Sequence, residues 1–117
     1  GSAGIAKTAD AYLYLPTGAV RKDFAPDVKP DTQNTIAATQ GPIKAEAFGE
    51  KVAHAAWHDK PSWYVVSKND RMINPDLERA MAKTIHAKTT EVSASHVSMV
   101  SQPEAIARTI EQAIEAK

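Results

Sequence analysis

Two residues of this 117-residue sequence, Asp70 and His96, could form a hydrogen-bonded acid–base pair. Asp70 comes three residues after an apolar segment that predicts a β-strand, and His96 follows a second, weaker strand candidate. Neighbouring parallel strands lie about 4.8 Å apart and end at the same edge of a sheet, so the two loops can meet. An aspartate placed there can hold a histidine in one tautomer and stabilise its imidazolium during general-base catalysis.

Other interpretations of these residue types stay open. An aspartate after a strand is often a turn residue or a helix cap, and a loop histidine is often simply exposed. His54 and His58 are four residues apart, with Glu50 four before His54, and on one helix they could bind a metal ion. Because a closed zinc site needs four ligands, we interpret them as surface residues and predict neither a metal nor a cofactor.

The elements that must position the pair are clearest in residues 61–117. Residues 62–67 are aromatic and β-branched on both faces, which is typical of a strand buried in a parallel sheet. Asn74 is a good N-cap and Pro75 suits the first helical position, so a helix starts there and carries His86 near its end. Its predicted buried face comprises Leu77, Ala80, Met81, Thr84 and Ile85.

A second strand and a last helix complete this half. Residues 89–94 predict the strand, and Ile106, Ile110 and Ile114 mark the predicted buried face of the helix. That helix starts either with a capping box at residues 101–104 or with Gln102 as the cap before Pro103. Strands joined by one helix are normally parallel, so residues 61–117 predict a βαβα unit.

Residues 1–60 predict several small helices with little core of their own. Prolines at positions 16, 26, 30 and 42 divide this half into short pieces. We predict helical turns at 20–24, a short helix capped by Asp31, and a longer helix over 42–54 that Gly49 weakens. Residues 12–15 form an apolar patch that could line an acyl pocket or pack within this half.

Composition excludes several classes of function. Lys plus Arg equals Asp plus Glu at 14 each, so no basic surface for nucleic acid is expected. No apolar run approaches the roughly 18 residues of a membrane span, and no signal peptide is visible. The lack of cysteine excludes thiolate chemistry and fits a cytoplasmic location. Gly1-Ser2 is either a cloning remnant or genuine sequence.

Two segments resemble the α/β-hydrolases, most closely their small esterases and hydroxynitrile-lyase-like proteins. Pro-Ser-Trp-Tyr-Val-Val with Asn-Asp-Arg-Met-Ile-Asn-Pro, over 61–75, resembles the strand and loop that carry the catalytic acid. Ser-Ala-Ser-His-Val-Ser-Met-Val-Ser, over 93–101, resembles the segment that carries the catalytic histidine. The resemblance implies that Asp70 and His96 are the last two members of a Ser–Asp–His triad. It also implies that residues 1–60 are a helical cap-like segment and residues 61–117 the C-terminal βαβα portion of the core.

The nucleophile of that family is missing from the sequence. None of the seven serines lies in a G-x-S-x-G motif, and no His-Gly-Gly-Gly loop is present. The resemblance therefore implies the C-terminal part of an esterase-like hydrolase that is inactive alone and acts on a small ester. A missing N-terminal half or a second chain would supply the serine.

Two further functions stay open. A hydrolase-fold lyase or oxygenase would reuse the His–Asp pair, and a non-catalytic binding or complex-forming domain would not need it.

The apolar inventory is thin for an independent domain. Hydrophobic residues make up 43% of the chain, but 21 of them are alanine, and Leu, Ile, Val and Phe together number only 21. We therefore expect a chain that folds stably with a partner, as a homo-oligomer or with the rest of its own polypeptide.

Overall fold

The structure, a computed structural model, describes residues 4–116, so residues 1–3, including Gly1-Ser2, and Lys117 lie outside it. The strands are β1 (Ala6–Lys7), β2 (Tyr12–Tyr14), β3 (Ile43–Lys44), β4 (Trp63–Ser67) and β5 (Lys88–Val92). The α-helices are α1 (Thr17–Ala19), α2 (Pro30–Thr39), α3 (Pro75–Thr84), α4 (Ser98–Ser101) and α5 (Pro103–Glu115). A π-helical segment, Val20–Phe24, and two 3-10 segments, Ala45–Gly49 and Ala56–His58, complete the elements. The fold class is α/β, as predicted.

The predicted parallel strand pair is confirmed. β4 and β5 pair in parallel from Trp63 opposite Lys88 to Ser67 opposite Val92, with α3 in the connection between them. α3 starts as predicted, because the Asn74 side chain accepts a hydrogen bond from the Asp76 amide at 2.9 Å and Pro75 follows the cap. Both strands therefore end at the same edge, immediately before the loops that carry the two candidate residues.

α3 ends in a Schellman motif at His86. The Ala87 amide donates to the Ala82 carbonyl at 2.9 Å, and the His86 amide donates to the Lys83 carbonyl at 3.1 Å. His86 takes the left-handed conformation, with φ at 51°, in a position that glycine usually occupies. The histidine therefore lies just beyond the helix end, as predicted, but in a conformation that the sequence did not indicate.

The predicted buried faces of α3 and α5 are wrong within the described chain. α3 buries Glu78 and Ala82, whereas Leu77 is 54% exposed. Ile110 and Ile114 of α5 are 55% and 68% exposed, because residues 4–116 place no further layer over them. α5 starts at Pro103 after Gln102, so that alternative for its start is confirmed and the capping box is wrong.

An antiparallel sheet replaces part of the predicted helical half. β1, β2 and β3 form three short strands, with Leu13 of β2 paired to Lys7 and to Ile43. The predicted turns at 20–24 and the short helix, α2, are confirmed, but Asp31 lies in the first turn of α2 and does not cap it. The predicted helix over 42–54 is wrong, because Phe48 and Val52 find no apolar surface to pack against and stay exposed.

The buried apolar core is small and joins the two halves of the chain. It centres on Val20, Ala25 and Val97, with partly buried side chains around it from Leu15, Phe24, Val28, Ile36 and Ala37. Val97 directly follows His96, so the core lies beside one of the candidate residues. Across the described residues, no helix is long and apolar enough to cross a membrane.

Candidate active site

Asp70 lies in a tight turn at the end of β4. Its amide donates to the Ser67 carbonyl at 3.1 Å, and the preceding Asn69 amide reaches the Ala94 carbonyl beyond β5 at 3.1 Å. One carboxylate oxygen, Oδ1, accepts the amides of Met72 at 2.6 Å and Ile73 at 3.0 Å. The side chain is only 3% exposed. The aspartate is therefore a turn residue, and the other oxygen of its carboxylate remains for a second partner.

His96 is that second partner. Its Nδ1 lies 2.7 Å from Oδ2 of Asp70, and its side chain is 30% exposed. Burial raises the pKa of Asp70, but the hydrogen bonds from His96, Ile73 and Met72 outweigh burial and hold the pKa below its usual value. An ionised carboxylate only accepts hydrogen bonds, so Nδ1 carries the proton and Nε2 keeps its lone pair. The arrangement gives a partly exposed imidazole whose free nitrogen can accept a proton.

Residues of the N-terminal half hold the loop that carries His96. The Asp27 carboxylate accepts the Ser95 amide at 2.8 Å and also the Ser95 hydroxyl. The ring of Phe24 lies 5.1 Å from the imidazole of His96, at 52° to it. Since Val97 is buried in the core, the backbone is fixed on both sides of the histidine.

The loop after Asp70 is linked to the same segment. The Arg71 guanidinium donates from Nε to Oδ1 of Asp23 at 2.9 Å, and the Asp23 side chain is largely buried. Asp23 lies in the π-helical segment, four residues before Asp27. One short stretch of the N-terminal half therefore contacts both loops of the site. The sequence analysis missed both carboxylates, because nothing in their spacing relates them to residues so distant in the chain.

Glu78 of α3 is a third carboxyl group at the site, and the sequence analysis missed it too. It is buried, and its Oε2 accepts the amide of Ser67 at 2.9 Å. Burial raises the pKa of Glu78, and the neighbouring Asp70 raises it further. Glu78 was not among the residues predicted to form the buried face of α3, because that face was identified from apolar residues. It is four residues before the buried Ala82 and lies on the same face of the helix.

An open cavity of about 330 Å³ lies beside the pair. Its lining, polar and apolar, comes from the second half of the chain. The apolar side chains include Trp63, Met99 and Ile106. The apolar patch at residues 12–15 does not line this cavity; it forms β2, and Leu15 packs on the core. The pocket-lining alternative for that patch is therefore wrong for the cavity next to His96.

The remaining histidines take no part in this site. The chain around His54 is not helical, so His54 and His58 lose the shared face that a metal pair would need. His58 stacks against Trp57 with ring centres 3.7 Å apart. Among residues 4–116, no group of three or more His, Asp or Glu side chains could hold a metal ion.

None of the serines within residues 4–116 is hydrogen-bonded to His96, although Ser98 lines the same cavity. The Ser95 hydroxyl donates to Asp27, and its side chain is buried. What the arrangement can do alone is accept a proton at Nε2 and stabilise the resulting imidazolium through Asp70.

Comparison with known families agrees with this geometry. A sequence model described as the alpha/beta hydrolase family matches residues 2–109, which is most of the chain. No curated protein matches the sequence. The matched region includes the parallel strands β4 and β5, and both Asp70 and His96. From a family match of this extent, it follows that the chain belongs to the alpha/beta hydrolase family.

Proposed function

We propose that the chain is the C-terminal segment of a carboxylic-ester hydrolase, in which Asp70 and His96 are the acid and base of a catalytic triad. The observation that carries the proposal is the 2.7 Å contact between Nδ1 of His96 and Oδ2 of Asp70 at the carboxyl ends of two parallel strands. In this proposal residues 1–60 are the cap-like segment and residues 61–117 the end of the hydrolase core.

The chemistry follows from the free Nε2 of His96. It takes the proton of a serine hydroxyl as the serine oxygen attacks the ester carbonyl, and it returns that proton to the departing alcohol. A water molecule then repeats the sequence on the acyl-serine, releasing the acid and regenerating the hydroxyl. Asp70 holds the imidazole in the productive tautomer and stabilises its cation in both steps.

The serine and the oxyanion hole come from a second segment or chain in this proposal. The sequence contains no G-x-S-x-G motif, which would place a serine on a strand-to-helix turn. Within residues 4–116, β4 has a strand neighbour only on the β5 side, and an apolar groove lies beside it between Trp63 and α5. An unpaired strand edge beside an apolar groove is what a missing strand and helix would cover.

The test is hydrolysis of an aryl ester by the purified chain, alone and together with a hydrolase segment that carries G-x-S-x-G. We expect negligible turnover by the chain alone and restored turnover by the assembled protein. His96→Ala and Asp70→Asn should each lower kcat of the assembled protein by about a thousandfold or more, because the general base loses its function. His58→Ala is the matched control and should leave kcat unchanged.

Two results would contradict the proposal in different ways. His96-dependent turnover by the 117-residue chain alone would show that no second segment is needed. If His96→Ala left the activity of the assembled protein intact, the pair would have no catalytic role, and a binding or complex-forming domain would be the better account.

A further inference from the structure

Glu78 is a buried carboxyl group that the proposed mechanism does not use. Its Oε2 accepts the Ser67 amide at 2.9 Å, whereas Oε1 is buried and has no donor among the described residues. A buried carboxylate oxygen without a donor is destabilising, so an unpaired one in a native structure needs an explanation. Asp70, itself a carboxyl group, lines the same cavity as Glu78, and a hydrogen bond between the two lowers the pKa of Asp70 and raises that of Glu78.

The two carboxyl groups can share a hydrogen bond only if one of them is protonated. Asp70 already accepts three hydrogen bonds, from His96, Met72 and Ile73, all of which favour its ionised form. A carboxylate has about four acceptor sites, so one more donor can be accommodated. The proton therefore belongs on Glu78, whose unpartnered oxygen then becomes the donor that fills the fourth site.

We propose that Glu78 is a positioning residue of the Asp70–His96 pair, holding a proton on Oε1 and donating it in a hydrogen bond to Asp70. The proposal rests on the proposed function, since it assigns Glu78 to the same site. α3 presents Glu78 to the pair, and β4 anchors the same side chain through the Ser67 amide. The neutral acid adds no negative charge beside Asp70 and fixes the carboxylate that orients His96.

The charged and titratable groups around Glu78 favour this protonation state. Burial and the negative charge of Asp70 both disfavour a charged Glu78, whereas the hydrogen bond from the Ser67 amide favours it, and the net effect raises the pKa of Glu78. His96 acts in the opposite direction, because an imidazolium would favour an ionised Glu78, but its effect is smaller than those of burial and Asp70.

The test is infrared and carbon-13 spectroscopy of the full chain without substrate, so its outcome is independent of ester hydrolysis. As the pH rises past 4.5 we expect the stretching band of a protonated carboxyl group to persist in the unmodified chain and to be absent from Glu78→Gln. The side-chain carboxyl carbon of Glu78 should titrate above 4.5, the ordinary glutamate value. Glu91→Gln is the matched control, because Glu91 is exposed, pairs with Arg79 and should contribute no such band.

A second readout separates positioning of Asp70 from simple packing. The amide of Glu78→Gln can still donate to Asp70, so the resonance of the proton shared by His96 and Asp70 should stay in place. Glu78→Leu removes the donor, leaves Asp70 more basic and should move that resonance downfield. A Glu78 carbon that titrates at or below 4.5, or a protonated-carboxyl band above pH 4.5 that Glu78→Gln leaves in place, would overturn the proposal.

Discussion

Three carboxyl groups around His96 lie in different environments, and these differences determine their charges. Asp70 accepts hydrogen bonds from the His96 imidazole and two amides, and Asp27 accepts hydrogen bonds from Ser95. These outweigh burial and lower both pKa values, whereas burial dominates at Glu78 and raises its pKa. The ionised carboxylates of Asp70 and Asp27 hold the histidine loop at two points. Asp70 is hydrogen-bonded to the imidazole of His96, and Asp27 accepts the amide of Ser95. The position of the imidazole therefore depends on two negative charges from different halves of the chain.

Asp27→Asn should destabilise the protein at neutral pH by about 1 kcal/mol, because the charge-assisted hydrogen bonds from Ser95 become neutral and the site is partly exposed. Since the pKa of Asp27 is lowered in the folded state, its contribution is complete above the ordinary value of 3.8. It is lost as the pH falls through the folded-state value. The stability difference between the two proteins should therefore shrink in acid.

Urea denaturation at one protein concentration, repeated from pH 7 to about pH 2.5, measures this difference. Asp59→Asn is the control, because Asp59 is exposed, and at pH 7 it should leave the free energy of unfolding close to that of the unmodified chain. A constant difference between Asp27→Asn and the unmodified chain across the whole range would contradict the assigned role of the Asp27 charge.

The Asp70–His96 contact could be predicted at the residue scale, because each residue lies in the loop after a strand, and the two strands have the pattern of parallel neighbours. Asp27 and Glu78 could not. Asp27 contacts a residue 68 positions away, and its partner is a serine that carries no distinctive spacing. Glu78 is a charged residue on a buried helical face, and a search for apolar residues at helical spacing cannot find it.

At the scale of the element, the end of α3 determines where β5 begins. Only three residues separate the helix from the strand, and the Schellman motif at His86 turns the chain within them. A histidine in the left-handed conformation costs roughly 1 kcal/mol relative to glycine, which has no Cβ to clash with the following carbonyl.

His86→Gly should raise the free energy of unfolding by about 0.5 kcal/mol at most, because the relief of roughly 1 kcal/mol of strain is partly offset by the entropy that glycine adds to the unfolded chain. Urea denaturation of the variant and the unmodified chain measures this change in the free energy of unfolding. Lys83→Gly, which places glycine inside the same helix, should lower the free energy of unfolding by about 1 kcal/mol. Destabilisation by His86→Gly would show that the side chain contributes more than its conformation costs.

The elements of the second half could be predicted because their signals are local. Trp63 and Val66 lie on opposite faces of β4, and Asn74-Pro75 marks the start of α3. The three-stranded sheet could not be predicted, since its strands are two or three residues long and show no alternation. The helix expected over 42–54 failed because a helical pattern also needs a surface to pack on, and Phe48 has none.

At the scale of the whole molecule, the exposed apolar groove is the main departure from an independent domain. It lies between β4 and α5 and is lined by Trp63, Val65, Ile106, Ile110 and Ile114. Ile110 and Ile114, which the amphipathic pattern predicted to be buried, lie open in it. In the proposed function a second segment or chain packs on this groove, which would also account for the thin core.

Ile110→Asp combined with Ile114→Asp should abolish association of the chain with itself or with a complementing hydrolase segment, because charge in an apolar interface is costly. We expect the melting temperature of the unmodified chain to rise with protein concentration and that of the double variant to be independent of it. Gln112→Asp, on the same helix but outside the groove, should behave like the unmodified chain. Sedimentation measures the association, and thermal melts at several protein concentrations measure the change in melting temperature. A monomeric, concentration-independent melt of the unmodified chain would contradict the need for a partner.

The contacts of Asp23 and Asp27 also have an evolutionary consequence. Arg71 and Ser95 each depend on a carboxylate that lies in the N-terminal half, within five residues of the other. Relatives that exchange this half by recombination have to acquire matching carboxylates or lose the support of both loops. We therefore expect position 23 to covary with position 71, and position 27 with position 95, so that this short stretch is inherited together with the histidine loop.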